Sequence, residues 1–193
     1  MRPTSASGLL LEDDFSDPKS GWGTRTIPNY EIGYSGGEYG IIVHKVQHEA
    51  WAVAPQLENL DNFAVEVDTR RVSGPEDNDF GLLVRYQEDS DEFYALTISS
   101  DGFYTVQLWQ GEQWEELVKW AESPAILKGE KAINRLKVEC RGAEMRFFVN
   151  GTLLIALQDS TLNGGTLGLI AGSFDIGDVA IRFDNFRVQA LKP

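Results

Sequence analysis

The sequence predicts an all-β domain in which two antiparallel sheets pack face to face, and three observations predict it. Apolar and polar residues alternate at period two in runs that recur about every ten residues. No stretch repeats apolar residues at the i, i+3, i+4 spacing of an amphipathic helix for three turns. Residue pairs that tolerate positive φ, such as Gly36-Gly37, Asp101-Gly102 and Asn150-Gly151, sit between neighbouring runs, where two-residue hairpins require them.

Taken in order, the strands are expected at Leu9–Phe15, Tyr30–Tyr34, Glu38–Val43, Trp51–Ala54, Phe63–Val72, Phe80–Arg85 and Phe93–Ser99. They continue at Phe103–Trp109, Trp114–Trp120, Ile133–Cys140, Met145–Val149, Thr152–Leu157, Thr166–Ala171 and Val179–Val188. In the last run Val179, Ile181 and Phe183 share one parity, whereas Phe186 and Val188 take the other. One extra residue near Asp184-Asn185 restores the pattern, so a β-bulge is expected there. Gly74–Asp79 and Glu88–Glu92 read as acidic loops, and Glu122–Glu130 as a connector holding a short helical turn.

A chain of 193 residues, 42% of them hydrophobic, has enough apolar surface for one core. Sandwiches of about 200 residues commonly form one unit, so a single domain is expected over 9–193. The small, polar residues at 1–8 read as a linker. The formal charge of −13 repels phosphate backbones and anionic lipid surfaces, which removes nucleic acid from the expected partners. No run approaches the ~18 apolar residues of a membrane span, and 1–8 lacks the apolar segment of a signal peptide. The lone Cys140 excludes an internal disulfide, and its row with Leu136 and Val138 predicts a buried thiol.

Several short motifs then appear in a familiar order: Asp14-Phe15-Ser16-Asp17, Gly21-Trp22, Phe80-Gly81-Leu82-Leu83-Val84-Arg85, Asn134-Arg135-Leu136-Lys137-Val138, Phe148-Val149-Asn150-Gly151, Gly168-Leu169-Ile170-Ala171 and Phe183-Asp184-Asn185-Phe186. Over about residues 9 to 188 the chain resembles the concanavalin A-like, laminin-G-like jelly-roll superfamily. The closest branch is the bacterial domain of unknown function grouped with 3-keto-disaccharide hydrolases. The resemblance implies two large antiparallel sheets, one concave, adjacent first and last strands, and sugars bound on the concave face or its rim. Val65/Val67, Leu82/Val84, Leu96/Ile98, Val106/Leu108 and Leu136/Val138 are the expected inward rows.

Period two puts Glu66, Asp68 and Arg70 on the side opposite Val65 and Val67. The polar parity of expected partner strands adds Arg85, Gln107 and Trp109. Such a face offers bidentate donors, acceptors and one flat indole, as a sugar requires. Glu66, Asp68, Arg70, Arg85, Gln107 and Trp109 are therefore the candidate ligand-binding residues.

Catalysis is disfavoured. The laminarinase and lichenase branch uses two glutamates flanking an aspartate on one strand, but Glu66-Val67-Asp68-Thr69-Arg70-Arg71 carries arginines where the second glutamate belongs. Arginine is neither nucleophile nor general acid at neutral pH. There is no Gly-x-Ser-x-Gly elbow, and His44 and His48 read as surface residues rather than ligands. No metal site is assigned, although Glu76–Asp79, Glu88–Glu92 and the set Asp14, Asp17 and Asp184 keep calcium as a candidate cofactor. Of the tryptophans, most are expected in the core, with Trp109 and Trp114 as the pair expected at the surface.

The expected function is a non-catalytic, extracytoplasmic binding module of a longer chain, recognising a glycan or other polymer. A glycoside-hydrolase-like enzyme and a structural or protein-interaction sandwich are the alternatives.

Overall fold

A computed structural model describes Gly8–Lys192. The residues expected as a linker lie outside it except Gly8, whose carbonyl accepts the Ala190 amide at 2.7 Å. Fifteen strands form: β1 (Leu9–Asp13), β2 (Arg25–Ile27), β3 (Tyr30–Ser35), β4 (Glu38–Val43), β5 (His48–Val53), β6 (Phe63–Ser73), β7 (Asn78–Gln87), β8 (Glu92–Ile98), β9 (Phe103–Gln110), β10 (Gln113–Glu122), β11 (Asn134–Arg141), β12 (Glu144–Val149), β13 (Thr152–Gln158), β14 (Thr166–Ser173) and β15 (Val179–Ala190). The described residues contain no helix. The turn expected within Glu122–Glu130 reduces to isolated bonds such as Ile126 N to Ser123 O, 3.2 Å.

The nine-stranded sheet runs β13-β12-β11-β6-β15-β4-β3-β2, with β1 also on β15, and the six-stranded sheet runs β10-β9-β8-β7-β14-β5. Every pair is antiparallel, and β1 joins β15 as first and last strands should. The expected inward rows all stand at the sheet interface with at most 1% exposure. Cys140 shares that interface, and burial pushes its thiol up to about 12.

The hairpin and bulge residues act as their chemistry demands. Asn150 and Gly151 take φ of 50° and 81°, which only a left-handed-tolerant pair adopts cheaply between β12 and β13. The register of β15 on β6 shifts between Asp184 and Arg187, with Asn185 at φ 52°. That bulge turns Phe186 inward, where its ring stands 4.9 Å from Trp22, and Trp22 lies 5.4 Å from Phe15. Trp22 Nε1 donates to Asp13 at 3.0 Å. The aromatic members of the first and last motifs thus build the core at the join of β1 and β15.

Candidate functional site

The six expected ligand-binding residues do not share one face. Glu66, Asp68 and Arg70 lie on the outer face of the nine-stranded sheet, whereas Gln107 and Trp109 lie on the outer face of the six-stranded sheet, across the sandwich. Parity along a strand is readable from sequence, but sheet membership is not.

Arg85 belongs to neither outer face. The pairing of β7 with β8 shifts between Val84 and Gln87, and Arg85 takes φ 55°, so its side chain swings away from the face that parity assigned it. It is 1% exposed and donates to the carbonyls of Leu162 (2.9 Å), Asp159 (3.4 Å) and Gly142. Its guanidinium also stands over the Tyr94 ring at 5.9 Å. Arg85 is a tie between the sheets.

On the nine-stranded sheet Asp68, Arg70 and Glu66 each face an opposite charge. Asp68 accepts from Arg135 through both oxygens at 2.7 and 2.8 Å, and from Asn185 at 3.0 Å. Burial pushes the Asp68 carboxyl up, but Arg135 and Asn185 outweigh it and hold the group below its usual range. Arg70 grips Glu38 through two bonds of 3.0 and 2.5 Å, and Lys137 lies 3.6 Å from Glu66. With their partners engaged, these side chains leave little for a ligand without displacing an ion pair.

The six-stranded sheet presents the opposite chemistry. Its outer face carries Trp51 on β5, Tyr86 on β7, Phe93 on β8, Trp109 on β9 and Trp114 on β10. Of the five tryptophans only Trp22 is buried, so the expectation that most would be core is corrected. Register explains the cluster: Phe93 stands opposite Trp109, and Trp109 opposite Trp114. Ring centroids follow at 5.0 Å for Trp109–Trp114, 5.7 Å for Phe93–Trp114 and 5.3 Å for Trp51–Phe93. Leu83, Ala95 and Ile170 floor this layer.

This face is curved into a trough. Trp51 of β5 and Trp114 of β10, on the two edge strands of the sheet, pack on the same Phe93 ring of β8 at 5.3 and 5.7 Å. Five strand spacings would hold those edges about 24 Å apart in a flat sheet.

Further along the trough, Asp79 on β7 and Glu49 on β5 flank Gly172 on β14 in one cross-strand row. A Cβ on Gly172 would collide with Asp79 Oδ1 and stand 3.1 Å from Glu49 Cγ, so the glycine makes room for two carboxyls. Asp79 was expected in a loop, but β7 begins at Asn78 and Asp79 is only 5% exposed. Among the described residues its Oδ1 has no hydrogen-bond partner, and neither does Thr97 Oγ1 on the adjoining strand. Burial and then the Glu49 charge push Asp79 up to about 7. Burial likewise raises Glu49, against the pull of its own backbone amide and of Trp114.

The remaining sequence candidates scatter. His44 bonds Asp178 at 2.8 Å and Glu31 at 3.2 Å; His48 stacks on Tyr30 at 5.9 Å. Among the described residues no three His, Cys, Asp or Glu side chains gather in a metal-holding cluster. Asp14 is held by Ser16, Asp17 accepts the Lys19 amide, and Asp91 accepts the Tyr86 hydroxyl.

With this geometry in place, the comparisons become informative. The chain is similar to a Bacillus subtilis protein of unknown function with a galectin-like fold, at 13% identity and TM-score 0.71 over 96% of this chain and 97% of that one. It is similar to the carbohydrate-binding module CBM66 of Bacillus subtilis, at 16% identity and TM-score 0.60 over 89% and 96%. The fold is the concanavalin A-like jelly roll. The catalytic domain of a Thermotoga petrophila endo-1,3-beta-glucanase (laminarinase) shares this jelly roll at 10% identity and TM-score 0.65, covering 98% of this chain and all of that domain. No family model matches the chain, and no curated protein matches its sequence. Identities this low carry the fold alone.

Proposed function

We propose that this jelly roll is a non-catalytic glycan-binding module whose ligand lies in the trough of the six-stranded sheet. The observation that carries the reading is the layer of partly exposed indoles, Trp51, Trp109 and Trp114, lining one outer face beside the hydrogen-bonding groups of Gln107 and Glu49. Flat rings suit the C–H faces of a sugar, and the flanking amide and carboxyl suit its hydroxyls. Of the residues proposed from sequence, Gln107 and Trp109 keep this role. The carbohydrate-binding module and the glucanase domain among the structural neighbours support a sugar ligand and, with it, an extracytoplasmic place.

One observation favours hydrolysis as a second reading. Asp79 and Glu49 lean over the same glycine with Asp79 pushed up to about 7, and glycosidases pair a protonated with an ionised carboxyl. The near-complete burial of Asp79 disfavours it as a proton donor to a bound sugar.

A glycan array followed by calorimetry, with and without calcium, tests the proposal. Saturable binding without release of reducing ends is expected; turnover abolished by Asp79→Asn would replace the binding reading with hydrolysis. Absence of binding to any glycan would leave a structural sandwich.

A further inference from the structure

At the end of the trough away from Trp109, a cavity of ≈ 240 Å³ opens between Trp120 of β10, Phe103 of β9 and Phe174 just beyond β14. The Trp120 and Phe174 rings meet edge to face at 6.0 Å and 86°. Asp77, Asp101 and Ser99 complete the lining, to which no lysine or arginine among the described residues contributes. The Ser99 hydroxyl is already committed to Asp101 at 2.5 Å and the Glu76 carbonyl at 3.0 Å.

Asp175 follows Phe174 directly, and its charge, with that of Asp101, adds to burial in raising the Asp77 carboxyl. Lys128 passes its side chain over Gly102 and ends on Glu122 at 2.8 Å, outside the lining. Aromatic faces and carboxylates crowd together here, with no lysine or arginine among the described lining residues.

We propose that this cavity receives the protonated amine of an amino sugar, so that the glycan held in the trough is a cationic one. The inference rests on the glycan reading above. An ammonium over an indole or phenyl ring is attracted by the ring quadrupole, and the carboxylates add ion pairing. A uronic acid or sulfated sugar would meet like charges, and a neutral sugar would leave the carboxylates uncompensated. The volume suits one sugar residue, and the cavity is continuous with the strands that carry the indoles.

Calorimetric titration at low salt tests this, at a pH where the amine is protonated and exposed carboxyls are ionised. The probes are a chito-oligosaccharide with free amines, its N-acetylated counterpart and a cello-oligosaccharide of equal length. The free-amine oligomer is expected to bind on the order of tenfold tighter than the other two, with that margin shrinking as salt rises. Asp77→Asn/Asp101→Asn should erase the margin by lowering free-amine binding to the level of the N-acetylated probe. Asp77→Asn/Asp175→Asn serves if the turn residue Asp101 proves necessary for folding. Equal affinity for all three probes, or a margin that survives both double variants, overturns the amine inference while the trough reading stands. Failure of every probe and every arrayed glycan to bind overturns both.

Discussion

The two outer faces of this sandwich are built from the same alternating strand pattern yet have opposite chemistry. On the nine-stranded sheet Asp68, Arg70 and Glu139 each find an oppositely charged partner within 3.0 Å. On the six-stranded sheet three indoles line the surface, and Asp79 Oδ1 is buried with no partner among the described residues. Charges paired within a face leave little for a ligand, whereas half-exposed rings and a carboxyl oxygen without a partner among the described residues leave interactions that a ligand can complete.

The largest expected effect concerns the residue that belongs to neither face. Arg85→Ala should cost about 3–5 kcal/mol of stability, because it orphans buried carbonyls and leaves a cavity between the sheets. Denaturant unfolding measures it, and a loss below 1 kcal/mol would place the guanidinium in solvent.

Next comes the pH dependence carried by Asp79. Its folded pKa of about 7 lies above the unfolded value near 4, so the folded state holds the extra proton between them. Stability is then fullest below about pH 4 and declines by a few kcal/mol, to order of magnitude, as pH rises to about 7. Asp79→Asn should flatten that slope and stabilise the protein at pH 8. An unchanged slope would show that Asp79 ionises freely and is solvated.

Much of the fold was legible because it rests on local chemistry: period-two alternation placed the inward rows, and turn pairs placed the hairpins. The bulge at Asn185 was legible too, since an extra residue leaves a parity shift in the apolar pattern. The site was legible only in part. Gln107 and Trp109 were chosen for the right parity, but nothing local says that β6 and β9 fall in different sheets. Arg85 misled because its bulge falls at the end of the apolar run of β7, where too few apolar residues follow for a parity shift to leave a mark. Glu49 and Asp79 were missed as a pair because Gly172 brings them together from strands distant in sequence.

On the charge-paired face Asp68→Ala should change stability by no more than about 1 kcal/mol, since Arg135 is largely exposed and its pairing is screened by solvent. A two-dimensional proton–nitrogen spectrum should show only local shifts. The smallest effect is at the histidines. His44 should titrate above its ordinary range, chiefly through Asp178, and His48 below it, through burial. The stability that His44 adds is present below the unfolded pKa and is lost as pH rises through the folded one. Imidazole proton shifts followed against pH measure both, and a reversed order would contradict the contacts.

The most direct test sets the two faces against each other. The glycan that binds best in a screen is titrated into the wild-type protein, Trp109→Ala and Asp68→Ala, with melting temperatures recorded alongside. The expected result is a loss of about 1–3 kcal/mol in binding for Trp109→Ala and none for Asp68→Ala, with both variants folded. The reverse pattern, affinity lost with Asp68 and kept without Trp109, would move the ligand to the nine-stranded sheet and contradict the account.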